Sequence, residues 1–268
     1  MKSFDPLLKN AVKVTGKFDA QQTLLFIHGF GTDQTAWHNI AEAFANEYRL
    51  VVFDNTGTGR SIPEAFVQAK YLNLNTYAED VLDICHALEQ RNIILVGHSV
   101  GSMIAILAAI KQPDLFSKVI LIGASPRYLN DFGYFGGFSD YDLNDIYQAI
   151  TIDFNNWLDQ FSKQAMANLH KPSLAQNFSK SIQTIPQEQI LTSLCAIFQS
   201  DHRADVEKLT KPALIIQTKD DPFVPIEVAQ YLNTAIKGSR LAIIDGSGHL
   251  PHISHPAAVI TAINSFLG

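Results

Sequence analysis

Apolar residues along this chain come in short unbroken runs rather than in alternation. Thr23–Ile27 (TLLFI), Leu50–Phe53 (LVVF), Asn92–Val96 (NIILV), Lys118–Ile122 (KVILI), Ala213–Gln217 (ALIIQ) and Arg240–Ile244 (RLAII) are rich in Val, Ile and Leu. Runs of this kind read as strands buried on both faces, which a parallel sheet covered by helices requires. Between them the period becomes helical over Ala36–Ala45, Thr76–Glu89, Ser99–Lys111, Ile226–Ile236 and Pro256–Leu267. In the second of these, Tyr77, Val81, Ile84, Cys85 and Leu88 make one apolar stripe. The alternation predicts a doubly wound α/β domain.

One stretch breaks the rhythm. From Pro126 to about Asp201 no strand pattern occurs, and four helices are predicted: Tyr141–Ile150, Phe154–Met166, Leu174–Ser181 and Gln187–Gln199. Pro172 and Pro186 fall at helix starts, where a missing N–H costs nothing. Residues 127–200 hold 12 of the 27 aromatic side chains, so the insertion carries more than its share. Following a strand's C-terminal end, it lies where open α/β sheets bind ligands. The chain therefore divides into a core of residues 1–125 and 202–268 and an inserted helical cap, 126–201. Most of the cap's aromatic rings fill its own small core.

Composition narrows the class. Hydrophobic residues are 47% and charged residues 17% of 268, which excludes a disordered chain. A net charge of −6 offers nothing to a phosphate backbone, so no nucleic acid is expected. Met1–Asn10 has no apolar core of a signal peptide, and the longest apolar run, Met103–Ile110, is far short of a membrane span. Cys85 and Cys195 read as two buried small hydrophobes in a reducing compartment. A soluble, cytoplasmic protein is expected.

The chemistry is carried by Gly97-His98-Ser99-Val100-Gly101, between a predicted strand and a predicted helix. This is the G-x-S-x-G pattern in its required context. A sharp turn drives the serine to positive φ, and the glycines remove side chains that would clash. Ser99 is thus presented above the sheet as a nucleophile.

A serine hydroxyl needs a base, and the base an orienting carboxylate. Among nine histidines His249 fits, just after the last strand beyond Asp245-Gly246-Ser247-Gly248. His252 and His255 read as polar residues of the surface or of a helix start. They do not form a metal cluster with His249, because Pro251 blocks a regular helix there. His98, next to Ser99 at a tight turn, points elsewhere. The carboxylate lies after Ala213–Gln217 at Asp220 or Asp221, with Asp245 a rival on the histidine's own strand. Oxyanion donors are expected from the Val100 N–H and from Phe30 in His28-Gly29-Phe30-Gly31. Asp54-Asn55-Thr56-Gly57-Thr58-Gly59-Arg60-Ser61 lacks the G-x-G-x-x-G spacing and reads as a structural loop.

These motifs together resemble an α/β-hydrolase over nearly the whole chain. Finer strings narrow the resemblance: Ser125-Pro126-Arg127-Tyr128-Leu129-Asn130-Asp131, Gly136-Gly137-Phe138, Phe198-Gln199-Ser200-Asp201-His202-Arg203 and His249-Leu250-Pro251-His252. They are similar to the RsbQ-like stress-response regulators and to the plant karrikin and strigolactone receptors. The resemblance implies an α/β-hydrolase fold, with a mostly parallel sheet, helices on both faces and a V-shaped four-helix cap. It implies the triad Ser99, Asp221 and His249, with Phe30 and Val100 as oxyanion donors. Pocket walls would include Phe30, His98, Tyr128, Phe138, Trp157, Phe161 and Phe198, and Phe223 would narrow the pocket. The implied activity is hydrolysis of small apolar esters or lactones of butenolide type, without cofactor or metal. The alternative it carries is ligand sensing with slow hydrolysis, in which a protein partner, a PAS-type phosphatase for RsbQ-like members, reads the cap.

Overall fold

The computed structural model describes residues 4–268. Seven strands form one sheet: β1 Lys13–Gly16, β2 Thr23–Ile27, β3 Arg49–Val52, β4 Ile93–His98, β5 Phe116–Ile122, β6 Ala213–Asp220 and β7 Arg240–Ser247. Their spatial order is β1-β3-β2-β4-β5-β6-β7, with β1 antiparallel to β3 and every other pairing parallel.

Successive residues of a strand face opposite ways, and the core divides accordingly. Leu25, Ile27, Ile93, Leu95, Val119 and Leu121 pack beneath the helices Leu74–Ala87, Val100–Lys111 and Ile226–Ala235. Leu24, Phe26, Ile94, Val96, Ile120 and Ile122 face Trp37, Ile40 and Phe44 with the helix Pro256–Leu267. Both sheet faces are covered, which is why the central strands read as continuous apolar runs.

Departures from the sequence reading lie at the periphery. β1 is an unforeseen edge strand of four residues, each exposed or half-buried. The run Arg240–Ile244 belongs to the opposite edge and is not buried on both faces; Ile243 is 44% exposed there. β7 continues through Ser247, so Asp245, Gly246 and Ser247 are strand rather than loop. Ala36–Ala45 is a broken segment: a short α-helix, His38–Ala41, flanked by 3-10 turns at Gln34–Trp37 and Glu42–Phe44. Cys85 is buried, but Cys195 is only half-buried; both are free thiols.

Between β5 and β6 the chain forms the helices Asp140–Ile152, Phe154–Met166, Pro172–Gln183 and Gln187–Phe198. Ser139 caps the first with a reciprocal bond to Asp142, and Asp153 caps the second through the Asn156 N–H. Pro172 opens the third at its first turn. No helix among the described residues is long and apolar enough to cross a membrane.

Candidate active site

The structure brings Ser99, His249 and Asp221 together from three strand ends. Ser99 sits between β4 and the helix Val100–Lys111 at φ 54° and ψ −123°, a conformation L-residues avoid. The flanking glycines make it possible. A Cβ on Gly97 would fall on the Gly101 carbonyl, and one on Gly101 on the Ile27 carbonyl.

The Ser99 hydroxyl lies 2.8 Å from His249 Nε2, and His249 Nδ1 lies 2.8 Å from Asp221 Oδ2. A carboxylate can only accept, so Nδ1 carries the proton and Nε2 faces Ser99 as an acceptor. Asp221 also accepts the Phe223 and Val224 N–H groups at 2.9 and 3.0 Å on Oδ1, and Gln217 Nε2 at 3.0 Å on Oδ2. Burial alone would raise its pKa. The His249 ring and the two backbone N–H groups outweigh burial and hold it below the usual carboxylate value, so Asp221 is ionised. Asp220 and Asp245 are both exposed, and neither makes a hydrogen bond to His249.

His249 is fixed through its backbone as well. Its N–H donates to the Ala165 carbonyl, in the last turn of the helix Phe154–Met166, at 2.8 Å. Its carbonyl accepts from His98 Nε2 at 2.8 Å. Near the nucleophile, the Tyr128 hydroxyl is 3.3 Å from Ser99 Oγ, and burial raises the phenol's pKa, so it stays protonated.

The loop carrying Phe30 is held from below. His28 donates from Nδ1 to the Gly29 carbonyl at 2.9 Å and accepts the Asn55 N–H on Nε2 at 2.9 Å. Asn55 Nδ2 in turn donates to the His28 carbonyl at 3.0 Å. The loop after β3 is thus the structural support it was read as. Buried Asp54 organises it by accepting the Gln34 and Arg60 N–H groups at 2.9 and 2.8 Å. Neither the Phe30 nor the Val100 N–H is taken up by another acceptor among the described residues.

Ser99 and His249 open into a cavity with about 40 Å³ accessible to the centre of a water molecule. Phe30, His98, Tyr128, Phe161, Phe198 and Phe223 line it. Trp157 and Phe138 do not. They stand one ring behind, Trp157 stacked on Phe161 at 5.1 Å and Phe138 against Phe223 at 6.4 Å. Ala165, Phe178, Leu194, Ile197 and Leu250 line it instead. They belong to amphipathic patterns in which a core position and a pocket position look alike.

His252 corrects another expectation. Pro251 opens a short helix, Pro251–Ser254, that leaves His249 outside; His252 stands at that helix start but is fully buried rather than on the surface, between Trp37 and His98 at ring distances of 4.7 and 4.3 Å. Neither of its nitrogens has a partner among the described residues, and burial pushes its pKa down to about 3. Burial also lowers His28 and His98. No group of three or more His, Cys, Asp or Glu among the described residues is placed to hold a metal ion.

These histidines predict acid sensitivity. Their folded pKa values lie below the unfolded value of about 6.5, so the unfolded chain binds more protons. Their contribution is fully present above pH 6.5 and is lost progressively as pH falls below it. Each histidine that is protonated in the unfolded chain and neutral in the folded one gives a slope of about 1.4 kcal/mol per pH unit. Urea midpoints should therefore fall steeply from pH 7.5 to 5.5, and less steeply for His252→Phe. Equal midpoints at the two pH values would refute it.

The family model described as the α/β hydrolase fold matches residues 22–256. A karrikin insensitive 2 receptor of Petunia hybrida is 36% identical over 253 residues, 94% of this chain and 93% of its own. A strigolactone esterase of Pisum sativum is 36% identical over 248 residues, 92% of each chain. Among solved structures, a hydrolase from Oleispira antarctica matches with a TM-score of 0.94 at 31% identity, covering 98% of this chain and 96% of that one.

Proposed function

The chain belongs to the α/β-hydrolase family, and within it we propose that it is a serine hydrolase of small apolar esters or lactones. The observation that carries this reading is the unbroken line from Ser99 Oγ through His249 to Asp221, with both links at 2.8 Å. Ser99 Oγ attacks the carbonyl carbon while His249 Nε2 takes its proton. The Phe30 and Val100 N–H groups meet the oxyanion. Collapse breaks the bond to the leaving oxygen, which receives the proton from His249 and departs. Water then repeats the sequence on the acyl-enzyme, with His249 again as base. Asp221 stabilises the imidazolium without being protonated.

The pocket supports the substrate class. Its walls are largely aromatic and bring no cation, so a charged substrate would surrender its hydration for nothing. Short aryl esters and butenolide-type lactones are expected to turn over; peptides, phosphoesters and triglycerides are not. Phenylmethylsulfonyl fluoride should add to Ser99, as read by peptide mass spectrometry, with loss of 4-nitrophenyl acetate hydrolysis. Labelling elsewhere with activity retained would defeat the reading.

Phe223 is placed to limit size. It is stacked on Phe161 at 5.0 Å and meets the His249 ring edge-on at 5.5 Å. Phe223→Ala should extend the accepted esters to bulkier ones with little change on the smallest, measured as kcat/KM across a graded series. An unaltered size profile would show that this ring is not the limit.

Sensing is the second reading, because relatives at 34–36% identity are named receptors. The segment entering the inserted helices exposes Phe132, Phe135 and Tyr141, which suits a regulatory protein partner at the cap.

A further inference from the structure

Beside the chamber that holds Ser99 lies a second of equal size, also about 40 Å³ to a water's centre, which neither Ser99 nor His249 reaches. Phe30 and Ile197 line both chambers and form the partition between them. Val100, Leu74, Ile104, Ile185 and Ala196 line only the second. An ester carries a substituent on each side of its carbonyl, and the two chambers offer a place for each.

The carbonyl decides how such an ester divides. With its carbon at Ser99 Oγ, its oxygen turns to the Phe30 and Val100 N–H groups. Its leaving oxygen must face His249, which returns the proton, and His249 lines the first chamber only. The acyl substituent takes the direction at that carbon left free by Oγ, the oxyanion and the leaving oxygen, and the second chamber, lined by Phe30 and Val100, is the apolar space next to the carbonyl that the leaving group does not fill. We propose that this second chamber is the acyl subsite and takes a short, neutral, apolar chain, while the alcohol or enol part occupies the aromatic first chamber. The inference rests on the hydrolase reading and deepens it. Phe30 meets Phe161 edge-on, with ring centroids 6.0 Å apart, and the residue is half-buried.

The lining sets the chemistry. Asn55 Nδ2 and the Thr58 hydroxyl already donate to the His28 and Asn55 carbonyls, at 3.0 and 2.7 Å. The Tyr77 hydroxyl pairs with Ser193. No charged side chain lines the chamber except His28, which burial keeps neutral. An acyl chain ending in a carboxylate would lose its hydration there without a partner and is excluded.

The test narrows one chamber at a time. Ala196→Leu fills the second, and Leu194→Phe narrows the first. With 4-nitrophenyl esters, Ala196→Leu should lower kcat/KM for the hexanoate at least tenfold and for the acetate by less than threefold, a discrimination typical of a few methylenes in an apolar pocket. The ratio between phenyl and 1-naphthyl acetate should stay as in the wild type. Leu194→Phe should do the reverse. Should Ala196→Leu not fold, Ala196→Gly must raise the hexanoate-to-acetate ratio instead. Equal losses on hexanoate and acetate, or none, overturn the assignment. If the wild type hydrolyses no ester, the hydrolase reading falls separately. The chamber is then tested by calorimetry with acetophenone and hexanophenone: tighter hexanophenone binding, lost in Ala196→Leu, supports an apolar chain subsite, and equal affinities overturn it.

Discussion

Replacing Ser99 by alanine is expected to lower kcat on 4-nitrophenyl acetate by about 10⁴ or more without disturbing the fold. Removing one oxygen leaves His249 with no nucleophile to activate, while the N–H groups of Phe30 and Val100 and the pocket walls remain. Residual hydrolysis above the rate in water should persist for that reason. The fold should survive because Ser99 contributes little packing. Its φ of 54° is imposed by the strand-to-helix turn and not by the hydroxyl. Thermal melting of the variant should match the wild type within a few degrees. Wild-type esterase activity in Ser99→Ala would remove the nucleophile from this position altogether.

Asp221→Asn should cost about 10³ to 10⁴ in kcat. The amide presents an N–H where a carboxylate accepted, so His249 is driven to the tautomer that points a proton at Ser99. Its imidazolium also loses a charge 2.8 Å away. Asp220→Asn and Asp245→Asn should cost less than tenfold, because both residues are exposed and neither bonds to His249. A different ranking of the three variants would relocate the acid and leave Ser99 and His249 in place.

The same local physics explains what could be read from the residues alone. The central strands were legible because burial on both faces leaves no polar position to interrupt them. β1 was not, since an edge strand of sequence KVTG needs only backbone pairing to β3 and leaves no apolar signature. Ala36–Ala45 has helical spacing, but its side chains Trp37 and Ile40 are claimed by the sheet face, and the backbone follows them through 3-10 turns. Ser99 and His249 were legible because their turns demand particular neighbours. The choice among Asp220, Asp221 and Asp245 rested on resemblance, because a carboxylate's partner lies 28 residues away in sequence and only the fold decides it. His252 was misread since polarity alone predicts exposure, whereas here an imidazole fills an apolar slot between two rings. Phe178 and Leu194 were missed because pocket-facing and core-facing positions share one helical stripe.

The hydrogen bond from the His249 N–H to the Ala165 carbonyl joins the base to the end of an inserted helix. A displacement of that helix would strain or break the bond to the peptide that carries the imidazole. Linkage makes the connection run both ways. An adduct that immobilises His249 steadies the helix, and a contact that tilts the helix detunes the base. In the proposed hydrolysis the base is therefore anchored to the outer layer of the fold as well as to the sheet.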